Sequence, residues 1–372
     1  MDFVLTDEQS AIRDLAGQIL TERSTPERVR EIEGGDDWFD ADLWAELAKA
    51  DLLGLCLPAE HGGGGFGPFE LALLLEQVGR AVAPVPVHAT LALGALPLAE
   101  FGSADQQAAW LPGVARGEVI LTAALSEGGD GLPPVTPATV AEVSGDGWTL
   151  RGTKQFVPAA HLAARMLVPA RTADGGSTVF LVDPNAPGVT LTRNTATSLE
   201  PLSTVAFDGV GVGAADVVGE VDGGAVVTDR IVDLGVAGLC AIQAGVCENA
   251  LRTTAAYTSS RRQFGSPIAT FQAVAHRAAD AYIDTEAIRL TAYQAAWRLG
   301  AGVPAAEALA IAKYWAGEGA HRVTHAAQHL HGGIGVDLDY PVHRTFRWAR
   351  TIELQLGGPT VHLRRLGALL AD

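Results

Sequence analysis

Three histidines, His321, His325 and His329, recur at every fourth position, a spacing that stacks them along one face of a helix. Imidazoles one turn apart can hold a metal ion, but only where a third or fourth ligand converges from elsewhere. The stretch is therefore read as a helix face and no metal is expected. The loop His61-Gly62-Gly63-Gly64-Gly65-Phe66-Gly67-Pro68 has the composition of a phosphate cradle. No strand precedes it and no Lys-Ser/Thr follows, so it is read as a turn between helices. Cys56, Cys240 and Cys247 are an odd number at unrelated spacings. They form neither a disulfide framework nor a zinc site, and are expected as reduced, buried small hydrophobes.

The elements that must position these groups change character along the chain. With 372 residues, 48% of them hydrophobic, the sequence can bury a large core divided over two or three units. Residues 1–115 read as a helical N-terminal domain, with Thr6 capping a run through Ile12, Leu15, Ile19 and Leu20, and Asp40 capping one through Leu43, Leu47 and Leu52-Leu53. The apolar, proline-containing stretch 84–97 reads as a connection across that domain. Residues 116–224 carry short β-branched runs at 148–150, 164–169, 178–182 and 189–192, separated by Gly, Pro and Asp, which predicts a small antiparallel, barrel-like β-domain. From 225 to 372 the helical period returns in runs at 226–260, 269–300, 304–331 and 342–356, which predicts a C-terminal four-helix bundle. The fold class is thus mainly α with a β middle domain.

A net charge of −17 gives no steering toward nucleic acid or an anionic membrane surface. No stretch reaches the roughly 18–20 apolar residues of a membrane span, and the acidic N-terminus has no signal-peptide pattern, so a cytoplasmic protein is expected.

Three motifs, in order along the chain, resemble the acyl-CoA dehydrogenase family. The segment from Tyr257 through Arg261, Phe264-Gly265 and Pro267-Ile268 to Phe271-Gln272 is similar to the family's Tyr-x3-Arg-x2-Phe-Gly-x-Pro-Ile-x2-Phe-Gln signature. His331-Gly332-Gly333-Ile334-Gly335, followed by Tyr340-Pro341 and Arg347, resembles its Gln-x-His-Gly-Gly-x-Gly segment. Pro58-Ala59-Glu60-His61-Gly62-Gly63 is close to its Pro-Glu-Glu-Tyr-Gly-Gly turn, and Gly152-Thr153-Lys154 extends the likeness into the β-domain. The resemblance implies the three-domain acyl-CoA dehydrogenase fold and an FAD shared between subunits. One subunit's β-domain and active site hold the flavin ring, while the neighbour's C-terminal domain grips the ADP end. The reaction it implies removes an α-proton with a glutamate as a β-hydride passes to the flavin.

The two half-sites differ in what they retain. In the ADP-gripping half, Arg261 matches the arginine that bonds the cofactor diphosphate, and its fork of donors suits phosphate oxygens. Phe264, Phe271, Gln272, Gly332 and Gly333 also match, the glycines letting backbone approach the cofactor, whereas His329 stands where the family carries glutamine. In the ring half, the family's Thr-Glu-Pro-x-x-Gly-Ser-Asp loop reads Ser126-Glu127-Gly128-Gly129-Asp130-Gly131-Leu132-Pro133, which keeps only the hydroxyl and the glutamate. The family's Trp-Ile-Thr-Asn-Gly segment reads Phe156-Val157-Pro158-Ala159-Ala160, with a proline for the flavin-bonding threonine.

The catalytic glutamate of the family's Tyr-Glu-Gly-Thr motif is replaced by Gly357, in Leu356-Gly357-Gly358-Pro359-Thr360, and the alternate base position on an earlier helix is Gly235. Asp233 and Glu353 lie within about one helical turn of those positions. Asp233 reads as a first-turn helix charge, and Glu353 as part of a surface charge pattern with Arg350. Loss of a general base costs about 10²- to 10⁴-fold in rate, so this chain alone is expected to be inactive.

The resemblance therefore implies a non-catalytic subunit of an α2β2, FAD-dependent acyl-CoA dehydrogenase, which lends its ADP half-site to a catalytic partner that binds most of the acyl-CoA. The chain's ending and its His-x-His-Gly-Gly-Ile-Gly-Val-Asp segment look most like bacterial heterotetrameric enzymes that dehydrogenate steroid side-chain CoA thioesters. A self-sufficient homotetrameric dehydrogenase with an atypical base, and a flavin-free structural subunit, are the alternatives.

Overall fold

The computed structural model describes residues 3–129, 131–173 and 175–371. The helices are α1 (Asp7–Arg23), α2 (Pro26–Glu33), α3 (Ala41–Lys49), α4 (Pro68–Ala81), α5 (Leu96–Phe101), α6 (Ala104–Ala115), α7 (Gly224–Ser260), α8 (Gln272–Gly300), α9 (Ala306–His331), α10 (Val342–Leu354) and α11 (Pro359–Ala371). The sheet strands are β1 (Leu121–Ala123), β2 (Val140–Ser144), β3 (Gly147–Pro158), β4 (Arg165–Arg171), β5 (Ser177–Val182), β6 (Val189–Thr195), β7 (Pro201–Val212) and β8 (Val217–Val218). Two compact units interleave along the chain: residues 1–31, 68–83 and 236–372 form one, and 32–67 with 84–235 the other. No helix among the described residues is long and apolar enough to cross a membrane.

In the first unit α9 packs on α8, α10 and α11, and α4 packs on α1 and α8. Thr6 caps α1 with a full capping box, its hydroxyl accepting from Gln9 N. Helices α4 and α7 cross with their backbones in contact. A Cβ on Gly245 would lie 1.8 Å from the Glu76 carbonyl oxygen, and one on Gly79 would lie 2.0 Å from that of Ile242. Only glycine permits that approach. Beside the crossing, the half-buried Arg289 donates to Glu76 at 3.0 Å and to Glu248 at 2.8 Å, tying α8 to both helices. The sequence predicts four helices after residue 225; α11 is a fifth. Its first residue, Pro359, sits at the helix start where a missing amide costs nothing, and packs against Gly317 of α9.

In the second unit the strands form a mixed sheet in the order β6-β7-β3-β2-β4-β5-β8, with β1 beside β4. Most pairs are antiparallel as expected, but β1/β4 and β2/β4 are parallel. Strand β7, unforeseen in the sequence, pairs with β3 through a bulge: Leu150 opposes Val210, Arg151 opposes Asp208, and Gly209 (φ +75°) is left over. The Asp-Gly pair that reads as a turn is this bulge, closed by the Arg151–Asp208 ion pair at 2.6 Å. The stretch 84–97, expected as a surface connection, is a buried π-helix over His88–Ala95 that continues into α5. Pro84 and Pro86 precede its first turn, and Pro97 lies where the π-helix passes into α5.

Candidate functional site

Helix α7 ends at Ser260 and the chain turns at once into a two-stranded ribbon, Arg262–Gln263 against Ser266–Pro267. Phe264 (φ +51°) and Gly265 (φ +81°) make the connecting two-residue turn, a conformation that glycine at the second position favours. The turn holds the Phe264 ring 95% exposed, edge-on to Phe271 at 6.3 Å. Arg261 is exposed, and its guanidinium has no partner among the described residues. In a chain of net charge −17, an anionic ligand depends on such local cations, and a guanidinium fork suits phosphate oxygens. Gln272 opens α8, whose N-terminus has no side-chain cap; the Val274 and Ala275 amides bond the Phe271 carbonyl, which leaves those of Gln272 and Ala273 as the helix's leading donors.

Helix α9 ends at His331, and Gly332 takes φ +64° and ψ −141°, a region open in practice to glycine alone. Gly332 and Gly333 are exposed, and a Cβ on either would meet nothing within 4 Å, so their backbone is bare toward solvent. Gln328 cannot replace the displaced glutamine contact, because its Oε1 is buried beneath Gly335, 2.6 Å from where a Cβ would sit. His329 is exposed and lines a cleft of about 640 Å³ between α8 and α9, together with Arg277, Asp280, His321 and His325. The rings of His321 and His325 lie 4.2 Å apart. His325 is held below its ordinary pKa, first by burial and then by His321. No cluster of His, Cys, Asp or Glu among the described residues has metal-holding geometry. The two glycine and arginine segments meet through Tyr257, whose ring stacks on that of His331 at 4.5 Å.

The ring half, in the second unit, is different. Asp130 lies outside the described residues. The Ser126 hydroxyl is buried without a partner among the described residues. Glu127 is only 6% exposed and bonds Lys154 Nζ at 2.7 Å, while its oxygens accept the backbone amides of Ala138 and Thr139. The glutamate that survives from the family loop therefore stitches that loop to β3. Burial raises the Glu127 pKa, but the Lys154 charge and the hydrogen bonds from Lys154 and Thr139 outweigh it, so the carboxyl is held below its ordinary 4.5. The stability this carboxylate contributes is complete above 4.5 and is lost as the pH falls through the lower folded value. Glu127→Gln is expected to flatten the acid side of the stability profile, read as urea midpoints from about pH 7 to about pH 3. An unchanged acid slope would contradict the assignment.

Where the family places a flavin-bonding hydroxyl, Pro158 offers neither hydroxyl nor amide, and its carbonyl is taken by the Thr122 hydroxyl at 2.7 Å. Phe156 (φ +56°) and Ala159 (φ +51°) flank it in the left-handed region, and the β3/β7 register shifts between Lys154 and Val157. The residues present do not fit a flavin ring, whereas those of the ADP half fit a diphosphate.

Gly357 and Gly235, the two positions at which the sequence predicts the base to be missing, are both tied to their surroundings through their carbonyls. Gly357 (φ +88°) lies in the loop between α10 and α11. Its carbonyl, with those of Ile352 and Glu353, accepts from the fully buried Lys313 Nζ at 3.0–3.1 Å. Burial pushes Lys313 down to about 8, against the pull of Cys240 and Glu353. At the alternate position, His88 Nε2 donates to the Gly235 carbonyl at 2.9 Å. Burial pushes His88 down to about 4 against that bond, so it is neutral with its Nε2 proton already used. Neither group stood out in the sequence: a lone lysine in α9 and a histidine between prolines carry no local signature.

Asp233 is not a first-turn charge, since α7 begins at Gly224 and Asp233 lies in the third turn. Glu353 does pair with Arg350, but its side chain is only 13% exposed rather than part of an open surface pattern. Cys56, Cys240 and Cys247 are buried and none is in a disulfide among the described residues; burial pushes Cys240 up to about 12.

Family models match in three stretches: acyl-CoA dehydrogenase N-terminal domain over residues 6–118, middle domain over 122–210 and C-terminal domain over 222–370. The chain is 40% identical over 380 residues to acyl-CoA dehydrogenase FadE27 of Mycobacterium tuberculosis, covering 100% of this chain and 99% of that protein. It matches a chain in the crystal structure of the ChsE4-ChsE5 complex from Mycobacterium tuberculosis with a TM-score of 0.93 and 40% identity, over 100% and 99% of the two chains. A variant of the Tcur3481-Tcur3483 steroid acyl-CoA dehydrogenase matches with a TM-score of 0.91 and 43% identity, over 98% of each chain.

Proposed function

This chain belongs to the acyl-CoA dehydrogenase family, whose members are FAD flavoproteins, and from that premise we infer that it is the non-catalytic subunit of a heteromeric enzyme. It lends the ADP-binding half of a shared FAD site to a partner chain that carries the flavin ring and the base. The observation that carries this reading is the asymmetry of the two half-sites. The Arg261 guanidinium has no partner among the described residues, and its segment is linked to the bare Gly332-Gly333 backbone through the Tyr257–His331 stack, while Pro158, Gly235 and Gly357 occupy the positions that would need a donor or an acid.

FAD, when bound, supplies the hydride acceptor for α,β-dehydrogenation of an acyl-CoA thioester. This chain's contribution is binding and orientation. The Arg261 fork would neutralise diphosphate oxygens, the Gln272 and Ala273 amides at the start of α8 would add donors, and Gly332-Gly333 would let the cofactor approach main chain. Phe264, Phe271 and His329, on the same two segments, would help hold it. Phe264, Val336 and Leu338 are large apolar side chains exposed on the same unit, as a subunit that works against a partner requires. The assembly we propose is α2β2 in the cytoplasm, with 1–115, 116–224 and 225–372 as the chain's three family domains. The partner binds most of the acyl-CoA. Likeness to a protein described as a steroid acyl-CoA dehydrogenase, together with the motif at the chain's end, supports steroid side-chain CoA thioesters as the substrate class.

Glu353 is the carboxylate placed to rescue a self-sufficient enzyme, and here it is engaged by Arg350 and, at 3.7 Å, by His321. Glu353→Gln keeps the side chain's shape and is expected to leave turnover of the co-expressed complex within about twofold. A loss on the 10²- to 10⁴-fold scale of a removed base would overturn the non-catalytic assignment.

A further inference from the structure

His331 holds a fixed place between the two segments that carry the proposed half-site. Its Nδ1 lies 2.8 Å from the Ala327 carbonyl and must donate to it, which leaves Nε2 as an acceptor. The Tyr340 hydroxyl lies 3.3 Å from that Nε2 and donates to it. On the other side the Tyr257 ring stacks on the imidazole at 4.5 Å and 23°, and its hydroxyl donates to the His331 carbonyl at 3.4 Å. Tyr257 and Tyr340 also meet edge to face at 6.3 Å. Tyr257 lies one helical turn before Arg261, whose amide bonds its carbonyl at 2.8 Å, and His331 directly precedes Gly332. Outside this cluster, Arg261, Gly332 and Gly333 are all exposed.

Resting on the reading of these residues as an ADP half-site, the geometry points to Tyr257, His331 and Tyr340 as a clasp of positioning residues that sets the distance between the Arg261 fork and the Gly332-Gly333 backbone. The imidazole is held by the Tyr257 ring on its face and by the Tyr340 hydroxyl at its edge, so a shift at Tyr340 moves the glycines relative to the arginine. The loop beyond the glycines has a separate anchor: Arg30 bonds the Leu338 carbonyl at 2.8 Å and Asp339 at 2.9 Å. Removing the Tyr340 hydroxyl therefore loosens the clasp without unfolding the loop.

The test uses the complex obtained by co-expression with an acyl-CoA dehydrogenase-like partner, stripped of flavin and titrated with FAD. Tyr340→Phe is expected to raise the FAD Kd about threefold to tenfold, at most the range of one lost neutral hydrogen bond, with native mass unchanged and the thermal midpoint lowered by no more than about 2–4 °C. In an Arg261→Ala background the same substitution is expected to have less than half that effect, because its target is gone. Independent, additive effects, a Kd unchanged by Tyr340→Phe alone, or a loss of assembly in its place each overturn the clasp. If Arg261→Ala itself leaves the FAD Kd unchanged, the half-site reading fails, and that failure is distinct from failure of the clasp.

Discussion

Arg261→Ala in the assembled complex is expected to weaken FAD binding about 10- to 100-fold, so that flavin is lost on gel filtration while the two chains stay together. The magnitude is that of a charge-assisted hydrogen bond to phosphate, about 1.5–3 kcal/mol. The full penalty is expected here because nothing among the described residues shares the guanidinium, so no internal pair is broken in exchange. Arg261→Lys keeps the charge but not the fork, and is expected to recover only part of the affinity. Absorbance near 450 nm per mole of complex measures it. Full flavin content in Arg261→Ala would point instead to a structural subunit that binds no cofactor.

Lys313→Met is expected to destabilise the first unit by about 3–5 kcal/mol. The ammonium is fully buried, and three carbonyls converge on it from the last turn of α10 and the loop after it. Methionine matches its length but leaves all three acceptors without a donor, in a place water does not reach. The charge also sits at the C-terminal end of α10, where a cation is favoured. Urea unfolding of the chain reads the loss directly, and a change below about 1 kcal/mol would mean that the carbonyls find other donors. The same bonds explain why the loop persists although its family glutamate is gone: it is held from beneath by Lys313 and, through the Leu356 carbonyl, by His362.

The features legible in the sequence are those that a local pattern encodes. Thr6 and Asp40 were readable as caps because a hydroxyl or carboxylate before an apolar run satisfies the first amides of a helix, and both do so. The segment from Tyr257 to Gln272 and the glycines after His331 were readable because their spacing reproduces a family signature. What stayed hidden depends on contacts made at long range. The π-helix at 88–95 has prolines around it and no period of 3.6, and it is stabilised by burial; a Cβ on its Gly94 would lie 2.5 Å from that of Leu121. Helix α11 follows a Gly-Gly-Pro that reads as a terminus, when the proline is its first residue. Strand β7 was hidden by the Asp-Gly of its own bulge. Lys313 and His88 look like ordinary polar residues until the fold surrounds them. The survival of Glu127 could be seen in the sequence, but not its reason, which is Lys154 on a strand 27 residues later in the chain.

A cofactor site divided between two unlike chains fixes how much flavin each preparation can hold, so flavin stoichiometry is its most direct test. Flavin absorbance per polypeptide is measured for this chain expressed alone, and again after co-expression with an acyl-CoA dehydrogenase-like chain encoded beside it. The account predicts essentially no flavin in the lone protein and about one per heterodimer in the complex. About one flavin per chain in the lone protein would contradict it, and would mean that this polypeptide builds a complete site with a ring pocket and base of its own.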